Sequence, residues 1–296
     1  MGDVARRGGD MRILLSGYGK LGKALGTQLS GTHEVVILKR TPVHTDFRQI
    51  NADIAVYHDV YDAMDGIDAV IHTAAKQDPR MDPAHYNDFF DINIKGTHNI
   101  LQAALTRNIK RVVISSSIVV CGNLVRIMMG MVPEKAMRID ENVALKPQTV
   151  YDFNKVVNEQ TAEFYARVHG MNVICLRYGG FFPKHEGPDY VKMLLSWFVH
   201  TEDVAQAARL AVESEIEGYG VYVVVPKIRF TEADSEELVR DPDTVVKRHY
   251  PQEYEFVKAK ELSFSPIPMW WDSGKAQREL GFAPTHNFED EVRRCL

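Results

Sequence analysis

The chain has 296 residues, 45% of them hydrophobic and 25% charged, with a formal net charge of -5. That is a soluble globular mix, long enough for a full core and a second small domain, and the negative balance argues against a broad nucleic-acid surface. No apolar run is long enough to span a bilayer, so no membrane partner is expected. Cys121, Cys175 and Cys295 lie far apart, without paired or metal-like spacing; they read as reduced thiols of a cytoplasmic protein with no metal. The opening MGDVARRGGD lacks an apolar h-region and reads as a frayed leader rather than a secretory signal.

The first predicted strand, MRILLSG (11–17), runs into Gly17-Tyr18-Gly19-Lys20-Leu21-Gly22 and a helix over 20–29. A G-x-G-x-x-G spacing is weak by itself, and a glycine-rich surface turn is the bland alternative. Between a strand and a helix it gains meaning: small residues let the backbone approach a pyrophosphate, whose charge meets the helix N-terminus. The second strand, EVVILKR (34–40), ends in Lys39-Arg40. An acid there would bond the ribose hydroxyls of NAD. Two cations suit a 2′-phosphate instead and favour NADP over NAD, against the alternative of a solvated basic pair.

A helix at roughly 55–65, a strand DAVIHTAA (68–75), a helix over 86–107 and a strand RVVISSS (111–117) follow, then a helix over 150–169 and a strand NVICLRY (172–178). Near-continuous apolar strands alternating with helices predict a doubly wound α/β parallel sheet. Beyond Arg177 the pattern loosens into a short helix (202–214), a strand (220–226) and a polar, proline-dotted tail. We therefore divide the chain into a dinucleotide-binding domain, 11–178, and a small C-terminal substrate domain, 179–296, with 202–226 returning to the sheet.

Two stretches place a tyrosine four residues before a lysine: YDFNK (151–155) and YEFVK (254–258). With 12 tyrosines in the chain, a chance match is expected, so context decides. Tyr151 and Lys155 share one face of a predicted helix, and the strand before them ends in Ser115–Ser117, at the ligand edge of a parallel sheet. Tyr254 follows Pro251 in a charged segment and reads as a solvated helix face. A free phenol has a pKa near 10, and a neighbouring ammonium favours its phenolate. Tyr151 could then exchange a proton with a substrate oxygen, with Ser117 holding that oxygen as charge develops.

Glycine turn, strand-ending serine and Tyr-x-x-x-Lys in this order resemble the short-chain dehydrogenase/reductase superfamily. More closely, the chain resembles its extended branch, the NAD(P)-dependent epimerase/dehydratase family, over about residues 11–290. DAVIHTAA, INIKGTHNIL, RVVISSSIVVCG, LRYGGFFP, FVHTEDVAQA and KAQRELGFAP all carry the likeness. The resemblance implies a Rossmann fold with the backbone of Thr73, Ala74 and Ala75 along the cofactor, and Asp53 and Ile54 at the adenine. It also implies Tyr178 and Gly179 beside the nicotinamide, Asn93 as a structural or catalytic asparagine, and Ser117 as the substrate-oxygen donor. Tyr151 and Lys155 become the acid/base pair, with Lys155 also on the nicotinamide ribose. A two-fold homodimer through 86–107 and 150–169 is implied as well.

The departures narrow the function. Ser16 stands near a glycine of the longer motif, and LRYGG has glycine where sugar-nucleotide enzymes have asparagine. Only about 15 residues separate Pro183 from Phe198, where those enzymes carry a long insert. The compact form is similar to uronate dehydrogenases and related small-substrate members. The expected activity is NAD(P)-dependent hydride transfer to or from a secondary alcohol or carbonyl of a small polar molecule, such as a sugar acid or pathway intermediate. A sugar-nucleotide epimerase or dehydratase with tightly bound cofactor is one alternative; a non-enzymatic dinucleotide sensor is another. Met128, Met129, Met131 and Met137 form an apolar wall over substrate or pin a surface loop. Lys184-His185 faces an anionic substrate or solvent. His72 and His200 read as structural, and Trp270-Trp271 either packs the closing segment or lines a pocket.

Overall fold

The structure, a computed structural model, describes residues 10–77, 82–122, 130–181 and 186–296. Residues 1–9 of the leader, Met128, Met129 and Lys184-His185 lie outside those residues. In chain order the elements of the first half are β1 (Arg12–Ser16), α1 (Lys20–Leu29), β2 (Glu34–Lys39), β3 (Arg48–Asn51), α2 (Tyr57–Ala63), β4 (Ala69–His72), α3 (Tyr86–Phe89), a π-turn (Phe90–Lys95), α4 (Gly96–Thr106) and β5 (Arg111–Ser117). They continue with β6 (Met137–Ile139), α5 (Val150–His169), β7 (Asn172–Tyr178), α6 (Gly187–Met193), α7 (Thr201–Glu213) and β8 (Tyr219–Val224). The tail forms α8 (Glu237–Arg240), α9 (Pro242–His249), α10 (Pro251–Ala259), β9 (Met269–Trp271), α11 (Gly274–Leu280) and α12 (Phe288–Cys295).

Among the described residues, seven strands make one sheet in the order β3-β2-β1-β4-β5-β7-β8. The pairs β1–β2, β1–β4, β2–β3 and β4–β5 are parallel. Ile13, Leu14, Val36, Ile37, Val70, Ile71, Val112 and Val113 are fully buried, which is why these strands carry no polar alternation. The strand order reverses between β1 and β4, and the register pairs Ser16 with His72. The carboxyl ends of these two strands flank the crevice at which doubly wound sheets bind ligands.

The chain divides into two compact units. The first comprises Met1–Ser116, Thr149–Leu176 and Ala208–Gly220; the second comprises Ser117–Gln148, Arg177–Ala207 and Val221–Leu296. The second unit has its own core, built on Leu194, Phe198, Phe230, Leu238, Tyr250, Trp270 and Phe288. Its two short strands pair in parallel, Met137 against Met269 and Ile139 against Trp271. Both tryptophans are buried, so the Trp pair packs the closing segment. Met131 and Met137 are exposed.

Three features depart from the sequence reading. β3 reads RQIN and is half-exposed, so apolar patterning alone does not reveal it. The helix over 86–107 is interrupted by the π-turn, whose extra residue leaves no mark on composition. The polar tail is largely helical because Leu238, Val245, Val246 and Val257 anchor it to the second core. Tyr254 is half-buried against that core rather than solvated, with Lys247 and Lys258 near its ring. No helix among the described residues is long and apolar enough to cross a membrane.

Candidate active site

The glycine turn is shaped by contacts that only glycine permits. Gly17 has φ +92, and a Cβ there would lie 2.8 Å from the Ala74 backbone nitrogen. At Gly22 a Cβ would lie 2.5 Å from the Gly17 carbonyl oxygen. Gly19 differs: a Cβ would meet nothing within 4 Å, so its smallness keeps clear a space the protein itself does not fill. Thr73 ties the turn down, its hydroxyl donating to the Ser16 and Gly17 carbonyls at 2.8 and 3.2 Å. α1 starts at Lys20 with no side-chain cap and no acid in its first turn. Open amide groups and the positive end of a helix suit a pyrophosphate, and these residues fit a dinucleotide. Leu21 turns inward. Tyr18 turns aside, its hydroxyl accepting from Thr45.

At the far end of β2, Arg40 lies 3.6 Å from Asp53 and is largely exposed, while Asp53 also accepts from the Ala55 amide. Ile54 is buried, and its carbonyl accepts from Asn99 at 2.8 Å.

Behind the turn runs a buried polar chain. Ser16 and His72 meet at 2.5 Å, His72 and Thr97 at 3.1 Å, and the Thr97 hydroxyl donates to the Asn93 carbonyl at 2.6 Å. Asn93 sits in the π-turn and clamps Lys76 twice: its Oδ1 accepts the Lys76 amide at 2.7 Å and its Nδ2 donates to the Lys76 carbonyl at 3.0 Å. The same Nδ2 reaches Asn154 on α5 at 3.3 Å. Burial, reinforced by the Lys155 charge, holds His72 neutral with its pKa down at about 3. Ser16, the departure from the longer glycine motif, thus has a defined partner.

α5 begins with a capping box between Thr149 and Asp152, which fixes the first turn that carries Tyr151. Lys155 is buried and donates to the Ser115 carbonyl at 2.7 Å, with its Nζ 5.5 Å from the centre of the Tyr151 ring. Desolvation lowers Lys155 to about 8, opposed by Cys175 and Glu159. The expected lowering of the Tyr151 pKa is absent in this geometry. Desolvation, with Asp152 second, pushes the phenol up, although part of the ring remains open to solvent. The ammonium is turned to the strand, not to the phenol oxygen. Ser115 Oγ and Asn154 Nδ2 are buried without a hydrogen-bond partner among the described residues, a costly state for a buried polar atom.

In the second unit, Ser117 ends β5 and caps the short turn Ile118–Cys121, its hydroxyl accepting from the Val119 amide at 3.4 Å. That leaves its proton for donation. Gly122 then closes on Lys146 so tightly that a Cβ would lie 1.7 Å from the Lys146 carbonyl oxygen. Tyr178 is buried, and Gly179 passes so near Trp197 that a Cβ would lie 2.5 Å from its carbonyl oxygen. Sequence reasoning passed over Ser116, Thr97, Asn154 and Glu159. The spacing of Glu159, one helical turn past Lys155, was the available signal.

The chain is 27% identical to a uronate dehydrogenase of Pseudomonas putida, over 66% of this chain and 69% of that one. It is also 27% identical to an L-arabinose 1-dehydrogenase (NAD(P)(+)) of Haloferax volcanii, over 69% of this chain and 84% of the other. The crystal structure of a uronate dehydrogenase from Agrobacterium tumefaciens superposes with a TM-score of 0.68 at 18% identity, covering 97% of this chain and 89% of that one, and so shares the fold. The family model for the NAD dependent epimerase/dehydratase family matches residues 13–201. With the glycine turn and the Tyr-Lys helix both inside that span, the chain belongs to the NAD-dependent epimerase/dehydratase family of enzymes.

Proposed function

We propose that the protein is an NAD(P)-dependent oxidoreductase acting on a secondary alcohol or carbonyl of a small sugar or sugar acid. The observation that carries this reading is the α5 face that presents Tyr151 and Lys155 beside the serine end of β5. The relatives named as uronate and arabinose dehydrogenases support the substrate class. When bound, the nicotinamide supplies or accepts the hydride.

This chain's residues do the rest. The turn from Gly17 to Gly22 holds the pyrophosphate, Asp53 and Ile54 the adenosine end, and Thr73, Ala74 and Ala75 line the dinucleotide. Tyr178 and Gly179 flank the nicotinamide. Tyr151 takes the proton of the substrate hydroxyl in the oxidative direction. Desolvation raises its phenol as the side chains stand here, and Lys155, whose Nζ lies 5.5 Å from the ring centre, is the cation that would favour the phenolate once turned from the Ser115 carbonyl. Ser117 donates to the same substrate oxygen, and Asn93 holds the π-turn and α5 in register. Residues 179–296 are assigned to substrate binding. Tyr151→Phe is expected to abolish turnover and to leave dinucleotide binding intact, read by nicotinamide absorbance and by fluorescence titration over a panel of uronates and aldoses. Wild-type-like turnover in that variant overturns the assignment. Substrate-dependent build-up of reduced nicotinamide separates net oxidation from epimerisation, which returns the hydride within a turnover.

Lys39 and Arg40 support a preference for NADP. The Arg40–Asp53 contact is exposed and weak, and a 2′-phosphate would out-compete it by bidentate bonding. Arg40→Ala should then erase the preference in kcat/KM; equal use of NAD by the wild type refutes it. Phe90, Phe153, Phe164 and Val168 are each about half exposed, and the last three recur on one face of α5. We assign this face to a homodimer; a monomer by light scattering at micromolar concentration contradicts it. The spacing of Cys121, Cys175 and Cys295, far apart and without paired or metal-like pattern, supports residence in the cytoplasm.

A further inference from the structure

Behind Lys155 lies an acid that the proposed chemistry does not use. Tyr151, Lys155 and Glu159 recur at four-residue spacing on α5 and so share one face. Lys155 and Glu159 are both almost wholly buried, at 3% and 2% exposure. Consecutive residues at the end of β5 receive them: the Ser115 carbonyl accepts the lysine Nζ at 2.7 Å, and the Ser116 hydroxyl donates to Glu159 Oε1 at 2.5 Å. Burying a charge is costly unless opposite charge and hydrogen bonds compensate it. A carboxylate fixed one helical turn from the buried ammonium supplies the opposite charge, and the Ser115 carbonyl supplies the hydrogen bond.

We propose that Glu159 is a positioning residue for Lys155: its carboxylate, pinned by Ser116, keeps Lys155 an ammonium and holds it along β5 beside Tyr151. The inference rests on the role given to Lys155 above. Of the other groups facing Lys155, Cys175 also opposes the loss of its charge. Asp152 is turned into the helix cap with Thr149. Cys175 on β7 is a fully buried thiol, and His72 on β4 is neutral. From the π-turn and α4, Asp91, Lys95 and His98 point to solvent. Burial pulls Lys155 down to about 8 while Cys175 and Glu159 resist. Without the carboxylate, the lysine loses its proton at lower pH. Across the roughly 5–6 Å of one helical turn, at an effective dielectric near 20, a unit charge moves its neighbour's titration by about two pH units, and by less where the charged tips lie farther apart.

Glu159→Gln keeps the shape and an acceptor for Ser116 but removes the charge. The alkaline limb of kcat is expected to move down by about one pH unit or more. In protein without dinucleotide, the carbon-13 resonance of the Lys155 ε-carbon, assigned with Lys155→Met, should titrate lower by the same amount. Ser116→Ala keeps the charge and should leave that titration within a few tenths of a unit while lowering kcat. A folded Glu159→Gln protein whose Lys155 titrates as in the wild type overturns the proposal. If the glutamine variant does not fold, Glu159→Asp withdraws the carboxylate by one methylene, and an unchanged Lys155 titration there is equally fatal. The resonance needs no turnover, so an active Tyr151→Phe would remove the catalytic reading while leaving the Glu159–Lys155 coupling to be judged by itself.

Discussion

His72 gives the sharpest test of the buried chain behind the glycine turn. The Thr97 hydroxyl donates to the Asn93 carbonyl, so its oxygen is left to accept from His72 Nε2. The imidazole therefore carries its proton on Nε2, and Nδ1 accepts from the Ser16 hydroxyl at 2.5 Å. A second proton on Nδ1 would face that hydroxyl donor to donor, in a site only 3% exposed and close to the Lys155 charge. Desolvation first and the Lys155 charge second hold the folded pKa down at about 3, against 6.5 for an ordinary imidazole in the unfolded chain. Between these values the unfolded state binds the proton and the folded state refuses it. Stability is therefore whole above about pH 6.5, falls as pH drops, and stops falling below about pH 3. At pH 5 the loss from this one group is about 2 kcal/mol relative to pH 7. Urea unfolding at both pH values, in wild type and His72→Gln, isolates the term, because every other titrating group contributes equally to both. The variant should start less stable and lose about 2 kcal/mol less on acidification. An identical loss in the two proteins would refute the buried neutral imidazole.

Gly19→Ala should melt like the wild type, since its Cβ meets nothing within 4 Å, yet lose dinucleotide affinity in a fluorescence titration; unchanged affinity would mean the pyrophosphate does not lie there. Gly22→Ala should lower the melting temperature as well, because its Cβ would press on the Gly17 carbonyl at 2.5 Å. Asn93→Ala strands the Lys76 amide and carbonyl and should cost about 1–3 kcal/mol in chemical denaturation; a neutral result would show the clamp to be dispensable. Thr149→Ala removes the α5 cap and should cost about 1 kcal/mol, with kcat reporting whether the Tyr151 turn loosens with it.

Much of the sheet was legible because β1, β2, β4, β5 and β7 are buried on both faces and therefore almost uninterruptedly apolar. The β3 segment RQIN sits at the edge of the sheet, half exposed, and an edge strand owes its conformation to its neighbour rather than to its own pattern. The glycine turn was legible because Gly17 and Gly22 answer steric demands that a sequence records. The electrostatics at Tyr151 were not: whether an ammonium four residues on lowers a phenol depends on where its nitrogen points, and here the Ser115 carbonyl takes it. Glu159 escaped notice because one more acid on a charged helix looks like surface, and only β5 packed beneath it makes it interior. The helices of the tail failed to stand out because their anchors, Leu238, Val245, Val246 and Val257, are sparse among charges.

The place of β5 between β4 and β7 has a bearing on how the chain is made. β4 leaves the ribosome before β5, but β7 follows about 55 residues later, which at about 5–20 residues per second is a wait on the order of 3 to 11 s. For that interval the nascent chain carries a strand reading RVVISSS with one edge unpaired, a template for pairing with a neighbouring chain. Translation speed through 118–171 therefore sets how long that edge is open. Slowing it with rare codons should lower soluble yield without altering a single residue of the finished molecule.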